Sequence, residues 1–346
     1  MEDVLGGRGD PGRFAGFLAD WEAVLAKRVE EAVAAFATVE GVRGLVLAGG
    51  VGRGESWPLS DIDLLPIYDD DRVEEAGAEI ERRRVEILAR WTEEGWWTGL
   101  DVGRLVFSRG EVVGALEVDA SALTALLADD RWYHSLDKGY GGRAAYDPTG
   151  LAAKLAGWFT DHRFSTPVVE FRLARERREV DEAQRLVRTS LARQDPLGAT
   201  TAVRAAAKWI QVRLLESWGE RDSSQARVGT RFEALASARG RSDLVDALRA
   251  LNDLDDASVE RRMAAAPWWV WERHDRSWRA RRRVGEAVTS TQDARDVLRV
   301  CTLYETRRCS APPFPTWLAI PDEVESLAEQ ADRLDALARL VFAPSS

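Results

Sequence analysis

An α+β domain with a small mixed sheet, followed by an all-helical domain, is the architecture this sequence predicts. Two short apolar strand patterns flank a glycine-rich turn between residues 41 and 68. Strand signals stop at about residue 165, and beyond it apolar residues recur only at helical spacing. The expected domains are residues 1–165 and 166–346.

From Gly12 to about Glu40, Phe14, Leu18, Trp21, Leu25, Val29, Val33 and Phe36 recur three and four apart, as in an amphipathic helix. The run GVRGLVLAGG, Gly41 to Gly50, is a short apolar strand ending in glycines. The run SDIDLLPIY, Ser60 to Tyr68, alternates polar and apolar before turning wholly apolar, as a strand does on entering a sheet. Residues 69–97 are charged and helical, with an acidic first turn that suits the helix dipole. Trp91, Trp96 and Trp97 near its end are core candidates. Thr98 to Ser108 reads as a third strand, Ser121 to Asp130 as a short helix, and Arg143 to Tyr146 as a short edge strand. A turn at Asp147–Gly150 leads into another helix. Helices are then expected over 167–192, 198–218, 228–250, 267–288, 291–306 and 321–342, with the Pro-rich run Ala311–Thr316 separating the last two.

Composition bounds the function classes. With 346 residues, 45% apolar and 31% charged, the chain has the profile of about two folded domains and not of a disordered polymer. Its 58 acidic against 48 basic residues give a charge of −10, which argues against wholesale binding to nucleic acid or anionic lipid. No stretch approaches the roughly 20 apolar residues of a membrane span. The start, MEDVLGGRGDPGRF, carries acids and glycines where a signal peptide would place basic and then apolar residues. Cys301 and Cys309 are too few for a disulfide framework or a thiolate zinc site, and His134, His162 and His274 too few for a histidine-rich one. A cytoplasmic protein without a membrane partner is expected. Arginine heavily outnumbers lysine, which occurs only at Lys27, Lys138, Lys154 and Lys208. Trp268, Trp271, Asp275 and Trp278 share one helical face and read as a core stripe or substrate wall, whereas Arg279, Arg281, Arg282 and Arg283 read as a solvated face.

The chemistry concentrates in Gly49-Gly-Val-Gly-Arg-Gly-Glu-Ser-Trp-Pro-Leu-Ser-Asp-Ile-Asp-Leu64. Its four glycines within six residues allow backbone N–H groups to cradle phosphate oxygens, and Arg53 adds a planar fork for the same ligand. Asp61 and Asp63 lie two apart on a strand, so both carboxylates leave one face. Paired carboxylates beside a phosphate cradle suit Mg²⁺, a hard ion that completes its shell with substrate phosphates, and two such ions can serve one phosphoryl transfer. A third acid is expected from a neighbouring strand. Asp101 is the best placed, with Glu117 and Asp119 of Leu116–Ala120, itself readable as a strand, as alternatives.

The stretch GGVGRGESWPLSDIDLL resembles the nucleotidyltransferases of the DNA polymerase β superfamily, whose pattern is a glycine pair, a turn and a hydrophobic-flanked Asp-x-Asp. It is most similar to the nucleotidyltransferase domain of the bacterial uridylyltransferases that modify the PII signal protein. GLDVGRLVFS and LEVDASALTALLADD resemble that family's next strand and helix. Aminoglycoside adenylyltransferases look similar over the Ser-Asp-Ile-Asp-Leu core. The resemblance covers about residues 40–130. It implies a polymerase β-like nucleotidyltransferase domain followed by a helical acceptor domain. It implies Asp61 and Asp63 as Mg²⁺ ligands, Asp101 as third ligand or base, and Gly49, Gly50 and Arg53 at the triphosphate. Ser60 would orient the carboxylates, and Lys208 of the helical domain would reach the triphosphate. The chain lacks room for the phosphohydrolase and regulatory domains of the PII-modifying enzymes, which makes PII a doubtful acceptor. His274-Asp275 lacks the further histidines that a phosphohydrolase site needs.

The expected activity is therefore Mg²⁺-dependent transfer of a nucleoside monophosphate from an NTP (ATP, or UTP or CTP) to a hydroxyl of a small, antibiotic-like acceptor, releasing pyrophosphate. The alternatives are a macromolecular acceptor, a protein or a tRNA, and a non-catalytic nucleotide-binding regulator.

Overall fold

A computed structural model describes residues 11–95, 99–103, 105–119, 122–222 and 224–343. Trp96, Trp97, Thr98 and Ser121 lie outside the described residues. The chain is mixed α+β and divides into two units, one running to Phe171 and the other beginning at Arg172.

In the first unit the single helix expected from Gly12 to Glu40 is two, α1 (Pro11–Ala19) and α2 (Trp21–Ala37), because the backbone leaves the helical region at Asp20. There follow β1 (Val42–Ala48), the single turn α3 (Gly49–Gly52), β2 (Ile62–Tyr68) and α4 (Val73–Glu93). The expected third strand is also two, β3 (Leu100–Val102) and β4 (Phe107–Ser108). Gly103 between them takes φ +88°, which an extended strand cannot hold. Then come α5 (Arg109–Leu116), α6 (Leu123–Leu126), α7 (Asp130–Gly139), β5 (Arg143–Tyr146) and α8 (Leu151–His162).

The sheet runs β3-β2-β1-β5, with β4 also on β2. Strand β1 is antiparallel to β2 and β5, and β2 is parallel to β3 and β4. Strand β2 is buried at every position, as a central strand covered on both faces must be. On one face Val46, Leu65 and Ile67 pack with Val112, Leu136, Leu155 and Phe159 of α5, α7 and α8. The alternative strand reading of 116–120 does not hold over its described residues, 116–119. Leu116 ends α5, Glu117 caps it in the αR region, and the Asp119 carboxylate accepts the Ala122 N–H at 3.0 Å.

The second unit is helical. Helix α9 (Thr166–Ala192) runs into it, followed by α10 (Pro196–Ser217), α11 (Val228–Ala238), α12 (Ser242–Leu251), α13 (Asp256–Ala264), α14 (Trp268–Arg283), α15 (Ser290–Glu305) and α16 (Glu325–Phe342). Gly240, at φ +68°, divides the helix expected over 228–250. The core of α9–α12 and α16 is built on Val180, Val203, Ile210, Phe232, Leu244 and Leu334. Among the described residues no helix is long and apolar enough to cross a membrane.

Helix α14 corrects two expectations. Its buried side carries Trp269, Val270, His274, Ser277 and Arg281, so Trp268 and Trp271, 36% and 47% exposed, lie off the core stripe. Arg281 is not solvated. It is wholly buried, with Nε 2.8 Å from Asp293 Oδ1 and Nη2 donating to Asp296 Oδ2 at 2.7 Å. Ser277 Oγ donates to Asp293 at 2.7 Å. Burial still raises Asp293 to about 6, against the pull of Ser277, Arg281 and His274. The unfolded chain releases that proton near pH 4. In between, the folded state holds more protons, so this group's contribution to stability falls as pH rises through the window. Asp293→Asn removes the titration while Arg281 keeps Asp296. The stability advantage of wild type over the variant is expected to shrink between about pH 4.5 and about pH 6.5 in paired thermal melts. An advantage that grows with pH would contradict the assignment.

Candidate functional site

A polar side chain on a fully buried strand needs a partner. Asp63 is such a side chain, 5% exposed, and shares its sheet face with Leu65 and Ile67. Across the parallel pair its register partner is Asp101 of β3, so the two carboxylates stand side by side. Asp61 precedes β2 by one residue, where the Ile62 N–H donates to the Gly99 carbonyl at 3.0 Å and fixes the strand's entry.

Lys138, in the last turn of α7, joins two of these acids. Its Nζ donates to Asp63 Oδ1 at 2.8 Å and also to Asp101 Oδ2. Burial alone would lower the lysine, but the Asp63 and Asp101 carboxylates outweigh it and hold Lys138 above the usual lysine range. Burial likewise raises Asp63, against the opposing pull of Lys138. Asp61 is solvent-accessible but crowded by protein; loss of surrounding water, then the neighbouring Asp63 charge, raise it to about 6. Arg53 also pulls Asp63 down from farther off, and Asp101 acts on Arg84, but Lys138 is the cation seen to touch both Asp63 and Asp101.

The glycine turn abuts these acids. Gly49 sits at φ +63°, and a Cβ there would lie 1.9 Å from Asp63 Oδ2. A Cβ on Gly52 would lie 2.3 Å from the Leu47 carbonyl oxygen. Gly50 is less confined, with nothing nearer than 3.6 Å. The segment is one helical turn packed on the strand ends, its backbone pressed against Asp63.

The other residues expected at the site are placed as follows. Ser60 is buried, and its Oγ accepts the Trp57 N–H at 3.0 Å while its own N–H donates to the Trp57 carbonyl, closing the turn that leads into β2. Arg53 donates through Nε to Glu55 at 3.0 Å and through Nη1 to the Lys138 and Tyr140 carbonyls at 3.5 and 3.4 Å. Its fork thus holds the end of α7. Glu117 and Asp119 are exposed and off any strand, which leaves Asp101 as the acid beside Asp63. Lys208 belongs to the second unit, exposed on α10 with its ammonium 6.0 Å from the Trp209 ring centre.

Lys138 is the member that motif spacing misses. Local signals for its helix were nonetheless present. Asp129 caps the Arg131 N–H at 2.8 Å, Asp130 lies in the first turn, and Lys138 and Gly139 mark the end.

A cavity of about 510 Å³ lies beside the glycine segment, between α2 and β5. Trp21, Leu25 and Val29 form an apolar wall, Glu22, Glu30 and Arg143 supply charge, and Val51 and Ser56 belong to the glycine segment. Its volume is that of a site for a small organic molecule.

The oxygen donors Asp61, Asp63 and Asp101 are the kind that hard divalent ions take. Among the described residues no three acidic, histidine or cysteine side chains converge closely enough to enclose an ion as they stand. Lys138 occupies the space between two of them. Comparison with protein-family models, curated proteins and solved structures finds no match to this chain.

The close approach at Gly49 is directly testable. Gly49→Ala is expected to cost about 2–4 kcal/mol in denaturant unfolding, from a strained φ plus the clash with Asp63. Gly54, also at positive φ (+74°) but with open space around it, should cost only about 1 kcal/mol as alanine. Equal costs at the two positions would remove the special role given to Gly49.

Proposed function

We propose that the first unit is a nucleotidyltransferase of the DNA polymerase β type. It would transfer a nucleoside monophosphate from an NTP to the hydroxyl of a small acceptor, with pyrophosphate as leaving group. One observation carries the reading. Asp63 and Asp101 are held in register on neighbouring strands around the Lys138 ammonium, with Asp61 beside them and the Gly49 backbone against Asp63.

In this reading Asp61, Asp63 and Asp101 hold Mg²⁺, which when bound neutralises triphosphate charge. The chain's own groups do the remainder. Backbone N–H groups of the glycine turn face the phosphates, and Ser60 keeps the turn before Asp61 closed. Burial on β2 fixes Asp63, and strand pairing sets Asp101 beside it, so that little backbone reorganisation accompanies the reaction. Asp101 is partly exposed, unlike Asp63, and in this reading would take the proton of the acceptor hydroxyl.

In this reading the cavity beside the glycine segment, which has the volume of a small-molecule site, takes the acceptor. Its two carboxylates, Glu22 and Glu30, outnumber the one lining cation, Arg143, beside an apolar wall, and this net negative charge favours a cationic molecule with a hydrophobic ring or edge.

Two measurements test the reading. Thermal stability with each of the four NTPs, with and without Mg²⁺, should show a Mg²⁺-dependent gain for at least one. A ligand at 100 times its Kd adds about 2.7 kcal/mol. The gain should vanish in Asp61→Asn/Asp63→Asn. No response to any NTP, or one that survives in the double variant, would refute the proposal. Once an acceptor is found by screening cationic small molecules, Glu22→Gln/Glu30→Gln should raise its KM about three- to tenfold, the worth of two exposed charge pairs. The NTP-induced gain should not change. An unaltered KM would move the acceptor elsewhere.

A further inference from the structure

We infer that Lys138 is a resident cation holding the place of a divalent metal, and that it leaves Asp63 and Asp101 when the metal enters. The inference rests on the nucleotidyltransferase reading for what the metal does, and on geometry for what the lysine does. One ammonium donates to both carboxylates. The space it fills lies between two of the carboxylates that would hold the ion, so ammonium and metal would compete for them.

The surroundings are built for a side chain that moves on a backbone that does not. Gly139, next in sequence, is packed so tightly that a Cβ would lie 2.1 Å from the Phe159 ring. Arg53 holds the Lys138 and Tyr140 carbonyls, and the Gly142 N–H donates to the Gly139 carbonyl at 2.8 Å. The end of α7 is thereby pinned to the glycine segment, while four methylenes leave the ammonium free to swing. Moved away from the acids, it would still be beside the glycine turn, where triphosphate oxygens are the available anions. Lys138 would pass its charge from carboxylate to phosphate as metal and nucleotide arrive together. Metal without nucleotide would bind poorly, because it must displace the lysine with no anion to receive it.

Mn²⁺ binding to the full chain, followed by electron paramagnetic resonance without nucleotide, tests this. Removing a unit charge within contact of two ligands should tighten Mn²⁺ at least about tenfold in Lys138→Met relative to wild type. Lys138→Gln should behave likewise, and adding Asp63→Asn should abolish the gain. In melts without metal Lys138→Met should unfold at lower temperature, because the ammonium no longer offsets the Asp63–Asp101 repulsion, and Mn²⁺ should restore it. Mn²⁺ binding that is unchanged or weaker in both Lys138 variants overturns the inference, as does failure of every variant to bind Mn²⁺. The two readings fail separately. Wild type answering to Mg²⁺–NTP without tighter Mn²⁺ in the variants removes only the lysine's role. Tighter Mn²⁺ with no NTP response removes only the enzyme.

Discussion

A buried carboxylate on the central strand and a half-buried one on its neighbour stand side by side, and their repulsion has to be answered from the same side. Asp63 lies on β2, buried throughout, and Asp101 is its register partner on β3. Burying either ion without a partner costs several kcal/mol, and burying both adds their mutual repulsion. The covering face is otherwise hydrocarbon, with Leu136, Leu155 and Phe159 against Leu65 and Ile67. A cation delivered through that layer answers both, and the last turn of α7 delivers one. The position of α7, the glycine turn beneath it and the short strand β3 all follow from this arrangement.

The glycine segment is read differently once that constraint is seen. Glycines in such a run suggest backbone N–H groups freed to meet a ligand. Gly49 and Gly52 are also required by the protein's own packing, one against Asp63 and the other against the Leu47 carbonyl. The turn must lie this close for β1 to lead into a site centred on β2. Arg53, which the motif suggests as a phosphate fork, also ties the glycine segment to α7. Cradle and lysine are thus one mechanical piece.

The parts of this site that were legible in the sequence are those with local causes. The β1 and β2 patterns, the glycines and the Asp-x-Asp spacing follow from alternation and turn chemistry, and they place Asp61 and Asp63 together. Asp101 required a guess at strand pairing, because Glu117 and Asp119 were equally acidic and only the register separates them. Lys138 was not legible. Helix α7, DRWYHSLDKG, has few apolar residues, with Trp132, Tyr133 and Leu136 as its buried anchors. The contact its lysine makes is with strands far away in sequence. The phase of α14 failed for a related reason. Trp268, Trp269 and Trp271 place tryptophan on adjacent faces, so apolar spacing alone does not select the buried one. The acids of α15 turn Arg281 inward.

Residue choice separates structure from chemistry in this chain. Lys and Arg together number 48, yet only four are lysine. Arginines fill the fully buried cationic positions. Arg163 pairs with Asp137 at 2.6 Å, Arg172 with Glu216 at 3.0 Å, and Arg281 with Asp293 and Asp296. Arg262 spreads its fork over the Trp317, Asn252 and Asp253 carbonyls and Thr302 Oγ1, each at 3.0 Å or less. A planar guanidinium making several directed bonds is costly to dislodge, which suits a permanent buried contact. The acids of β2 and β3 receive a lysine, a point charge on a flexible stem that can exchange one set of anions for another without breaking a fixed geometry. A purely structural tie at that point would be expected to follow the rest of the molecule and use arginine. The exception falls where a mobile charge would be useful.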